Sequence, residues 1–438
     1  MIKNSILKTR DPYLNKLIAF QDTEPVKIVT GIRRCGKSSL LKLMIQHLKK
    51  QGKKANQIIE MNFESHEFNA FSSDDIYNYV KKRVKPNKRL YLFFDEIQRI
   101  NGWENAINSF RVDFDCDIYI TGSNAYLLSS EYSTYLSGRC IEIKMLPLSF
   151  SEFLYFNDFK VIENKNPFGK EQKTIINKYK KQTDIKEAFE AYLYFGGMPG
   201  ISELGYEQER ALSLLEGIYS TVIVRDILER EKRKDEKRIT DALLLRKIIL
   251  FLADNIGNNV SISSMGNVLA NIGFLSNKNK SSNPSIHTVA SYINALLESY
   301  FFYEIKRFDI KGKEYLKTLG KYYIVDIGLH NYLLGFRNRD TGHILENIVY
   351  LELLRRGYDV AIGKIDNIEI DFIATKLGFK TYIQVSETLV NKEVLERELK
   401  PLRKIDDNYE KIILTLDTSM NIDYDGIKAI NIIDWLIK

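Results

Sequence analysis

The sequence predicts an α/β protein whose N-terminal part is a parallel sheet flanked by helices. Three short apolar runs carry this prediction, at residues 26–30, 90–94 and 117–121, and each is followed by glycine, serine or acidic residues. Runs of this kind are typical of parallel strands that are buried on both faces. Open α/β sheets bind their ligands beyond the carboxyl ends of the strands, so we expect the ligand site at that edge.

The first run leads into eight residues that match the phosphate-binding pattern G-x-x-x-x-G-K-[ST]. They are Gly31-Ile32-Arg33-Arg34-Cys35-Gly36-Lys37-Ser38. The N–H groups of such a loop surround a polyphosphate, the lysine reaches the β and γ phosphates, and the hydroxyl holds Mg²⁺. Apolar residues then recur at helical spacing over residues 40–48, up to a stop signal at Gly52. We therefore expect the loop, with Arg34, Cys35 and Ser39, to bind a nucleotide, and spacing alone does not separate ATP from GTP.

The second and third runs end in candidate catalytic residues. Asp95 is expected to hold Mg²⁺, and Glu96 to polarise the attacking water as a general base. Ser123 and Asn124 are candidates for orienting that water or sensing the γ phosphate, with an ordinary turn as the alternative. Arg139 precedes a strand-like segment, and could stabilise charge on the phosphoryl group in cis or from a neighbouring subunit, or form a structural ion pair.

Further motifs follow the phosphate-binding loop in a fixed order. They are Asp95-Glu96-Ile97-Gln98, Thr121-Gly122-Ser123-Asn124, Leu136-Ser137-Gly138-Arg139, Pro147-Leu148-Ser149-Phe150 and Gly196-Gly197-Met198-Pro199. Together with the loop they resemble the AAA-type ATPases of bacteria and archaea that carry a C-terminal domain of poorly known function. The resemblance implies an additional-strand P-loop fold over residues 1–150, with ATP as the nucleotide.

Residues 151–238 are expected to form a helical lid or linker. Their pattern is helical but interrupted, with a clear break at residues 196–200 that could be a hinge or a packing turn. A mixed charge run at residues 229–238 ends the segment, and we interpret it as a solvated helix face or linker.

Residues 239–335 have the order of a winged helix. Three helices are expected at residues 243–256, 262–269 and 286–300, followed by two strands around a basic Lys311-Gly312-Lys313 turn. If the third helix enters a DNA major groove, its polar contacts would be Ser285, His287, Thr288, Ser291 and Asn294, and the phosphate contacts would be Lys306, Arg307, Lys311 and Lys313. The alternative is a winged helix used for protein contacts or as a rigid spacer.

Residues 336–438 resemble the PD-(D/E)xK nuclease core, an α/β restriction-endonuclease-like fold. Glu346 and Asp371 fit its acid positions, but Gln384 stands at the second strand acid and Ser386 at the lysine. Mg²⁺ prefers carboxylate and water oxygens, so the missing acid weakens a metal site. We expect a degenerate fold that does not cleave DNA, with Glu387 or Lys392 left open as substitutes. A plain α/β unit with solvated acids is the alternative.

Composition and charge indicate the cellular setting in which these domains are expected to act. Lys and Arg number 64 against 57 acids, a net charge of +7 that permits nucleic-acid contact without demanding it. The 3 cysteines and the lack of a signal-peptide pattern favour a cytoplasmic protein, and no apolar run predicts a membrane span. Oligomerisation stays open.

The leading expectation is therefore an ATP-hydrolysing switch that acts with DNA. The rivals are a nucleotide-gated DNA-binding protein with negligible turnover and an active metal-dependent nuclease.

Overall fold

A computed structural model of the protein describes residues 7–125, 138–165, 171–177, 181–205, 207–228, 239, 241–271, 284–315, 320–336, 341–417 and 421–438. The chain divides into two compact units, described separately. The N-terminal unit is Met1–Leu146 with Glu298–Tyr300, and the C-terminal unit is Pro147–Leu297 with Phe301–Lys438. The charge run at 229–238 and residues 136 and 137 lie outside the described residues.

The N-terminal unit is built on a five-stranded parallel sheet. Its strands are β1 (Val26–Thr30), β2 (Ile58–Asn62), β3 (Leu90–Asp95), β4 (Cys116–Gly122) and β5 (Cys140–Lys144). The order is β2-β3-β4-β1-β5, so β4 lies between the strand before the phosphate-binding loop and the strand that ends in Asp95. This confirms the expected parallel α/β sheet with its additional strand.

Four helices accompany this sheet within the described residues of the unit. They are α1 (Asp11–Ala19), α2 (Lys37–Lys50), α3 (Ser73–Lys81) and α4 (Trp103–Asp113). Short 3₁₀ turns lie at residues 55–57 and 97–99. The core packs apolar side chains of β2 and β3 against α3 and α4, with Phe94 stacked on Phe110. Lys27 and Asp117 form a fully buried ion pair of 2.5 Å at the amino end of the sheet, opposite to the edge where the loop begins.

The first part of the C-terminal unit mixes helices with a small sheet. Its helices are α5 (Phe150–Phe156), α6 (Ile185–Phe195), α7 (Pro199–Glu203) and α8 (Gln208–Thr221), followed by a π-helical segment, Val222–Leu228. The strands β6 (Lys160–Lys165), β7 (Glu171–Ile176) and β8 (Gln182–Asp184) pair antiparallel. The sequence predicted an interrupted helical pattern over residues 151–238, and it did not predict these three strands. Val161, Ile162, Thr174 and Ile175 are β-branched, which favours strands over helices.

The Gly196-Gly197 break is a packing turn. A Cβ on Gly196 would collide with the Asp326 carboxylate, and one on Gly197 with the carbonyl oxygen of Leu148. The Gly197 N–H donates to Asp326 Oδ2 at 2.6 Å, while the Leu148 N–H donates to the Gly197 carbonyl at 2.7 Å. The close backbone approach explains why the Pro147–Phe150 and Gly196–Pro199 motifs occur together.

The next segment contains three helices and a three-stranded sheet. The elements are α9 (Ala242–Asp254), β9 (Asn259–Val260), α10 (Ile262–Asn271), α11 (Ile286–Glu298), β10 (Phe302–Ile305) and β13 (Gly320–Ile324). The sheet has the order β10-β13-β9 and is antiparallel. The helices lie close to their predicted positions. No helix within the described ranges combines the length and apolar character that crossing a bilayer requires.

The basic hairpin after β10 belongs to a different sheet. Its strands β11 (Arg307–Asp309) and β12 (Glu314–Tyr315) pair with each other, and β11 also pairs in parallel with β14 (Asp359–Ile365) of the C-terminal sheet. The hairpin around Lys311-Gly312-Lys313 is therefore present, and the sequence did not predict that it forms one edge of a larger sheet. Lys311 is exposed and its Nζ lies 2.6 Å from Asp366 Oδ1.

That C-terminal sheet has eight strands in the order β12-β11-β14-β15-β16-β17-β19-β18. The remaining strands are β14 (Asp359–Ile365), β15 (Ile368–Lys376), β16 (Phe379–Ser386), β17 (Glu410–Thr415), β18 (Asn421–Tyr424) and β19 (Ile427–Asn431). The helices are α12 (Ile327–Leu334), α13 (Thr341–Arg355), α14 (Lys392–Arg403) and α15 (Ile432–Leu436). β14, β15 and β16 are antiparallel, and β17 returns parallel to β16 after α14.

Candidate nucleotide site and a second, acidic cleft

The phosphate-binding loop contains several positive φ angles, which glycine adopts more readily than other residues. Gly31 and Gly36 have φ angles of 143° and 110°, and Arg34 also has a positive φ of 64°. A Cβ on Gly31 would collide with the carbonyl oxygen of Met145. Gly36 is the N-cap of α2, so the free N–H groups of this helix begin directly after the loop. Such a helix N-terminus binds anions.

Lys37 lies at the centre of the loop and is almost fully buried. Its Nζ donates to the carbonyl oxygens of Gly31 at 2.9 Å and Ile32 at 3.1 Å, and lies 3.9 Å from Glu96 Oε1. Charged acceptors bind an ammonium more strongly than neutral carbonyls do. The Lys37 ammonium is therefore placed to exchange these carbonyl contacts for phosphate oxygens.

Asp95, at the end of β3, collects three side-chain donors. Its Oδ1 accepts from Thr121 Oγ1 at 2.5 Å and Ser38 Oγ at 3.0 Å, and its Oδ2 accepts from Asn62 Nδ2 at 3.1 Å. Burial raises the pKa of Asp95, while the bonds from Thr121 and Ser38 act in the opposite direction. A hydroxyl and a carboxylate held together offer the oxygen ligands that Mg²⁺ uses, so these residues fit the ion.

Glu96 is held by the neighbouring strand β4. Its backbone adopts a positive φ of 57°, and its N–H donates to Thr121 Oγ1 at 3.0 Å. The carboxylate accepts from Gln98 Nε2 at 2.7 Å and contacts Ser123 Oγ at 3.4 Å. Thr121 therefore bridges both acids. The sequence interpretation missed this role, although a polar residue at the end of a predicted neighbouring strand was the signal for it.

The other residues predicted for the nucleotide site lie in or near the loop and differ in how exposed they are. Cys35 is buried in the loop, which raises the pKa of its thiol, whereas the Arg34 side chain is exposed. Ser39 follows Ser38 in the first turn of α2. Asn124 is buried just beyond the end of β4, at the edge where Asp95 lies.

Arg139 lies at the wrong edge of the sheet for a catalytic role in cis. Its carbonyl accepts from the N–H of Val26, at the start of β1, whereas the loop begins after Thr30. At ~3.3 Å per residue, four residues of β1 place Arg139 about 13 Å below the loop edge. The signal for this was local, because a residue that precedes a parallel strand lies at the amino edge of the sheet, opposite to the ligand site.

Arg10 is a further residue that the sequence interpretation missed. It precedes α1 and is buried, and its Nη1 donates to the carbonyl oxygens of Cys35 at 3.0 Å and Leu146 at 2.8 Å. The guanidinium thus holds the backbone of the loop beside Gly36. Within the loop, Arg33 forms an ion pair with Glu64.

The C-terminal unit contains an acidic cleft of about 940 Å³. Its walls bring together Glu346 of α13, Asp371 of β15 and Gln384 of β16, as the sequence predicted. Gln384 Oε1 accepts from the Asp371 N–H at 2.8 Å, and Gln384 Nε2 donates to Glu398 Oε2 at 2.9 Å. Glu398, on α14, was not predicted.

Ser386 does not act as the missing lysine of this cleft, because its hydroxyl donates to the carbonyl oxygen of Thr388 at 3.1 Å. Instead, Lys321 of β13 approaches the acids, with Nζ 2.7 Å from Glu369 Oε1 and 3.4 Å from Glu346 Oε2. Burial opposes its charge, but these carboxylates outweigh burial and raise the pKa of Lys321. Burial, together with the nearby Glu346 charge, raises the pKa of Asp371 well above its ordinary value.

The sheet order and the phosphate-binding loop at its carboxyl edge give the N-terminal unit the architecture of an AAA-type P-loop domain. Residues 23–154 match the family model of an AAA domain. Residues 186–340 match a second model, described as a domain of unknown function.

An uncharacterised protein of Haemophilus influenzae is 37% identical over 432 residues, which are 98% of each chain. An uncharacterised protein of Methanocaldococcus jannaschii is 30% identical over 384 residues, 86% of this chain and 78% of the relative. The chain belongs to the family of these two proteins. Among solved structures, the Walker-type ATPase of Pyrococcus abyssi is 16% identical and covers 76% of this chain and 97% of its own, with a TM-score of 0.48.

Proposed function

We propose that the protein binds ATP with Mg²⁺ at residues 31–39 and hydrolyses it, as a nucleotide-driven switch that acts with DNA. One observation carries the ATPase proposal: Lys37, Ser38, Asp95 and Glu96 lie together at the carboxyl edge of one parallel sheet. A chance sequence match would not bring residues that follow two separate strands into one group of contacting side chains.

Each side chain has a role that its contacts support. The Lys37 ammonium and the first N–H groups of α2 bind the β and γ phosphates. Ser38 and Asp95 hold Mg²⁺, which neutralises charge on the phosphates. Glu96 accepts a proton from the attacking water, and Gln98 and Ser123 orient its carboxylate.

The direct test compares two substitutions with matched controls. Lys37→Ala is expected to abolish ATP hydrolysis, and Glu96→Gln to retain ATP binding but lose turnover. Lys42→Ala and Glu60→Gln remove the same charges from exposed positions of α2 and β2. They are expected to leave ATP binding and ATP hydrolysis unchanged. Phosphate release and binding of a fluorescent ATP analogue are measured on all four. Normal hydrolysis by Lys37→Ala and Glu96→Gln would refute the proposal.

The DNA part of the proposal rests on α11. This helix buries Val289, Ile293 and Leu296, while His287 and Asn294 stay exposed. A third helix with one apolar and one polar face, next to a small antiparallel sheet, is the arrangement that a winged helix uses to read a major groove. Lys311 pairs with Asp366 at the surface, and exposed ion pairs of this kind are weak enough for a phosphate to compete.

DNA retention by the full chain, with and without ATP, tests this part. His287→Ala with Asn294→Ala is expected to weaken retention, and Lys16→Ala, an exposed change on α1, is expected to leave it intact. Retention that depends on ATP but shows no phosphate release would favour the nucleotide-gated binder instead.

For the C-terminal unit we propose a nuclease-like fold that does not cleave DNA. The order of one helix, three antiparallel strands, a helix and a parallel strand (α13, β14–β16, α14, β17) supports the fold. Gln384 in place of an acid supports the loss of cleavage. DNA integrity after incubation with Mg²⁺ or Mn²⁺ tests it, and cleavage that disappears in Asp371→Ala would show an active nuclease.

A further inference from the structure

A buried cation already lies among the acids of the C-terminal cleft. The Lys321 side chain is only 5% exposed, and its Nζ contacts both Glu369 and Glu346. A nuclease-like site would place a divalent cation among such carboxylates. In this chain the Lys321 ammonium lies next to the carboxylate oxygens of Glu346 and Glu369 and supplies the positive charge.

We propose that the Lys321 ammonium takes the place of the divalent cation in this cleft, so that the C-terminal unit holds no Mg²⁺ or Mn²⁺ there. This inference rests on the proposal that the unit is a nuclease-like fold without cleavage, and it supplies the cause. A metal ion entering the cleft would have to separate Lys321 from Glu369 and Glu346. Leaving one of these charges without its partner is unfavourable, and metal binding would have to offset that loss.

The other contacts of these acids strengthen the exclusion. Glu346 Oε2 also accepts from Tyr323 Oη at 2.7 Å, and Glu369 Oε2 accepts from Asn259 Nδ2 at 2.8 Å. Asp371 Oδ2 accepts from the Val385 N–H at 2.9 Å.

The residues that hold Glu369 come from outside the nuclease-like core. Lys321 on β13 pairs directly with Asn259 on β9, and both side chains reach the same carboxylate. Tyr323 lies two residues further along β13, on the same face as Lys321. The small three-stranded sheet therefore supplies the cation and its neighbours as one rigid group.

Mn²⁺ binding to the full chain, followed by electron paramagnetic resonance, tests the inference. Every protein carries Ser38→Ala and Asp95→Asn, which removes the metal ligands of the nucleotide site, and no nucleotide is added. Lys321→Met removes the charge at similar length, Lys321→Arg retains it, and Lys306→Met changes an exposed lysine as the control. Lys321→Met is expected to bind Mn²⁺ at least tenfold more tightly than the parent, and adding Asp371→Asn should abolish that gain. Lys321→Arg and Lys306→Met should behave like the parent.

Two results would overturn the inference. One is a Mn²⁺ site in the parent that disappears with Asp371→Asn, a measurement that needs no Lys321 variant to fold. The other is a folded Lys321→Met protein, shown by an unchanged near-ultraviolet circular dichroism spectrum, that binds no additional Mn²⁺. DNA cleavage by the wild-type chain would instead refute the proposal on which the inference rests, so the two failures are distinguishable.

Discussion

Thr121→Val is the sharpest single perturbation of the nucleotide site. The substitution preserves the shape of the side chain but removes the hydroxyl that donates to Asp95 Oδ1 and accepts from the Glu96 N–H. Thr121 itself is fully buried, so water cannot replace the hydroxyl without rearrangement. We expect ATP to bind with little change and hydrolysis to slow, because the two acids that act on Mg²⁺ and water lose their common support.

The two hydrogen bonds set the size of the effect. A bond to a charged acceptor contributes ~1.5–3 kcal/mol, and a buried N–H left without a partner costs ~1–3 kcal/mol. Part of this free-energy loss lowers the stability of the folded protein and does not change the reaction rate. If about 2 kcal/mol of it falls on the transition state, the turnover rate decreases about thirtyfold.

The pH dependence distinguishes a positioning role from a structural one. Burial raises the pKa of Asp95, and the bond from Thr121 lowers it again in part. Without that bond the pKa is higher, so the carboxylate becomes protonated at a higher pH as the solution is acidified. The acidic limb of the rate profile in Thr121→Val should therefore shift to higher pH.

The assay is steady-state phosphate release from pH 5 to 9, with Thr121→Ser as the control that retains the hydroxyl. Thr121→Ser is expected to stay within about threefold of the wild-type rate, because it keeps both hydrogen bonds. A Thr121→Val rate equal to that of wild type, with an unshifted acidic limb, would refute the proposed role.

Three further predictions concern the loop and the packing turn. Gly31→Ala should abolish ATP binding, because the added Cβ collides with Met145, whereas Gly52→Ala, also at a positive φ but with open space around it, should retain binding in the same filter assay. Arg10→Met should weaken ATP binding about tenfold by releasing two backbone carbonyls, with a smaller loss in Arg10→Lys, as measured by equilibrium titration. Burial raises the pKa of Asp326 from 3.8 to about 6. The contribution of this carboxyl to the free energy of unfolding is therefore largest below pH 4, where it is protonated in both states. It decreases by about 3 kcal/mol as the pH rises through 6. Hydrogen exchange at residues 196–197, corrected for intrinsic rates, should show this decrease in the wild type and not in Asp326→Asn.

The sequence predicted best where the signal is local. The apolar runs before Gly31 and Asp95 were placed correctly, because a buried parallel strand needs only a short hydrophobic segment. The loop glycines were equally predictable, since their motif encodes positive φ angles that the structure confirms. Glu346, Asp371 and Gln384 also came together as expected.

Two of the failures had local signals, because Arg139 precedes a parallel strand and the strands β6 and β7 contain β-branched residues. The others depend on contacts between distant parts of the chain. The basic hairpin joins another sheet through β14, which lies about 50 residues later. Thr121 and Lys321 stand in ordinary strand patterns, and only strand pairing shows that they contact carboxylates.

A comparison of the buried Lys37 and Lys321 explains why the same pair of groups, an ammonium and a carboxylate, supports opposite roles in the two units. Lys37 donates to two neutral carbonyls and is 3.9 Å from Glu96, so a phosphate can compete for it successfully. Lys321 is 2.7 Å from Glu369 and also contacts Glu346, so an arriving ligand must break buried ion pairs. The first ammonium is therefore exchangeable and the second is fixed. From this difference, rather than from the number of acids in each place, we infer that nucleotide chemistry belongs to the N-terminal unit and that the acidic cleft has a binding or structural role.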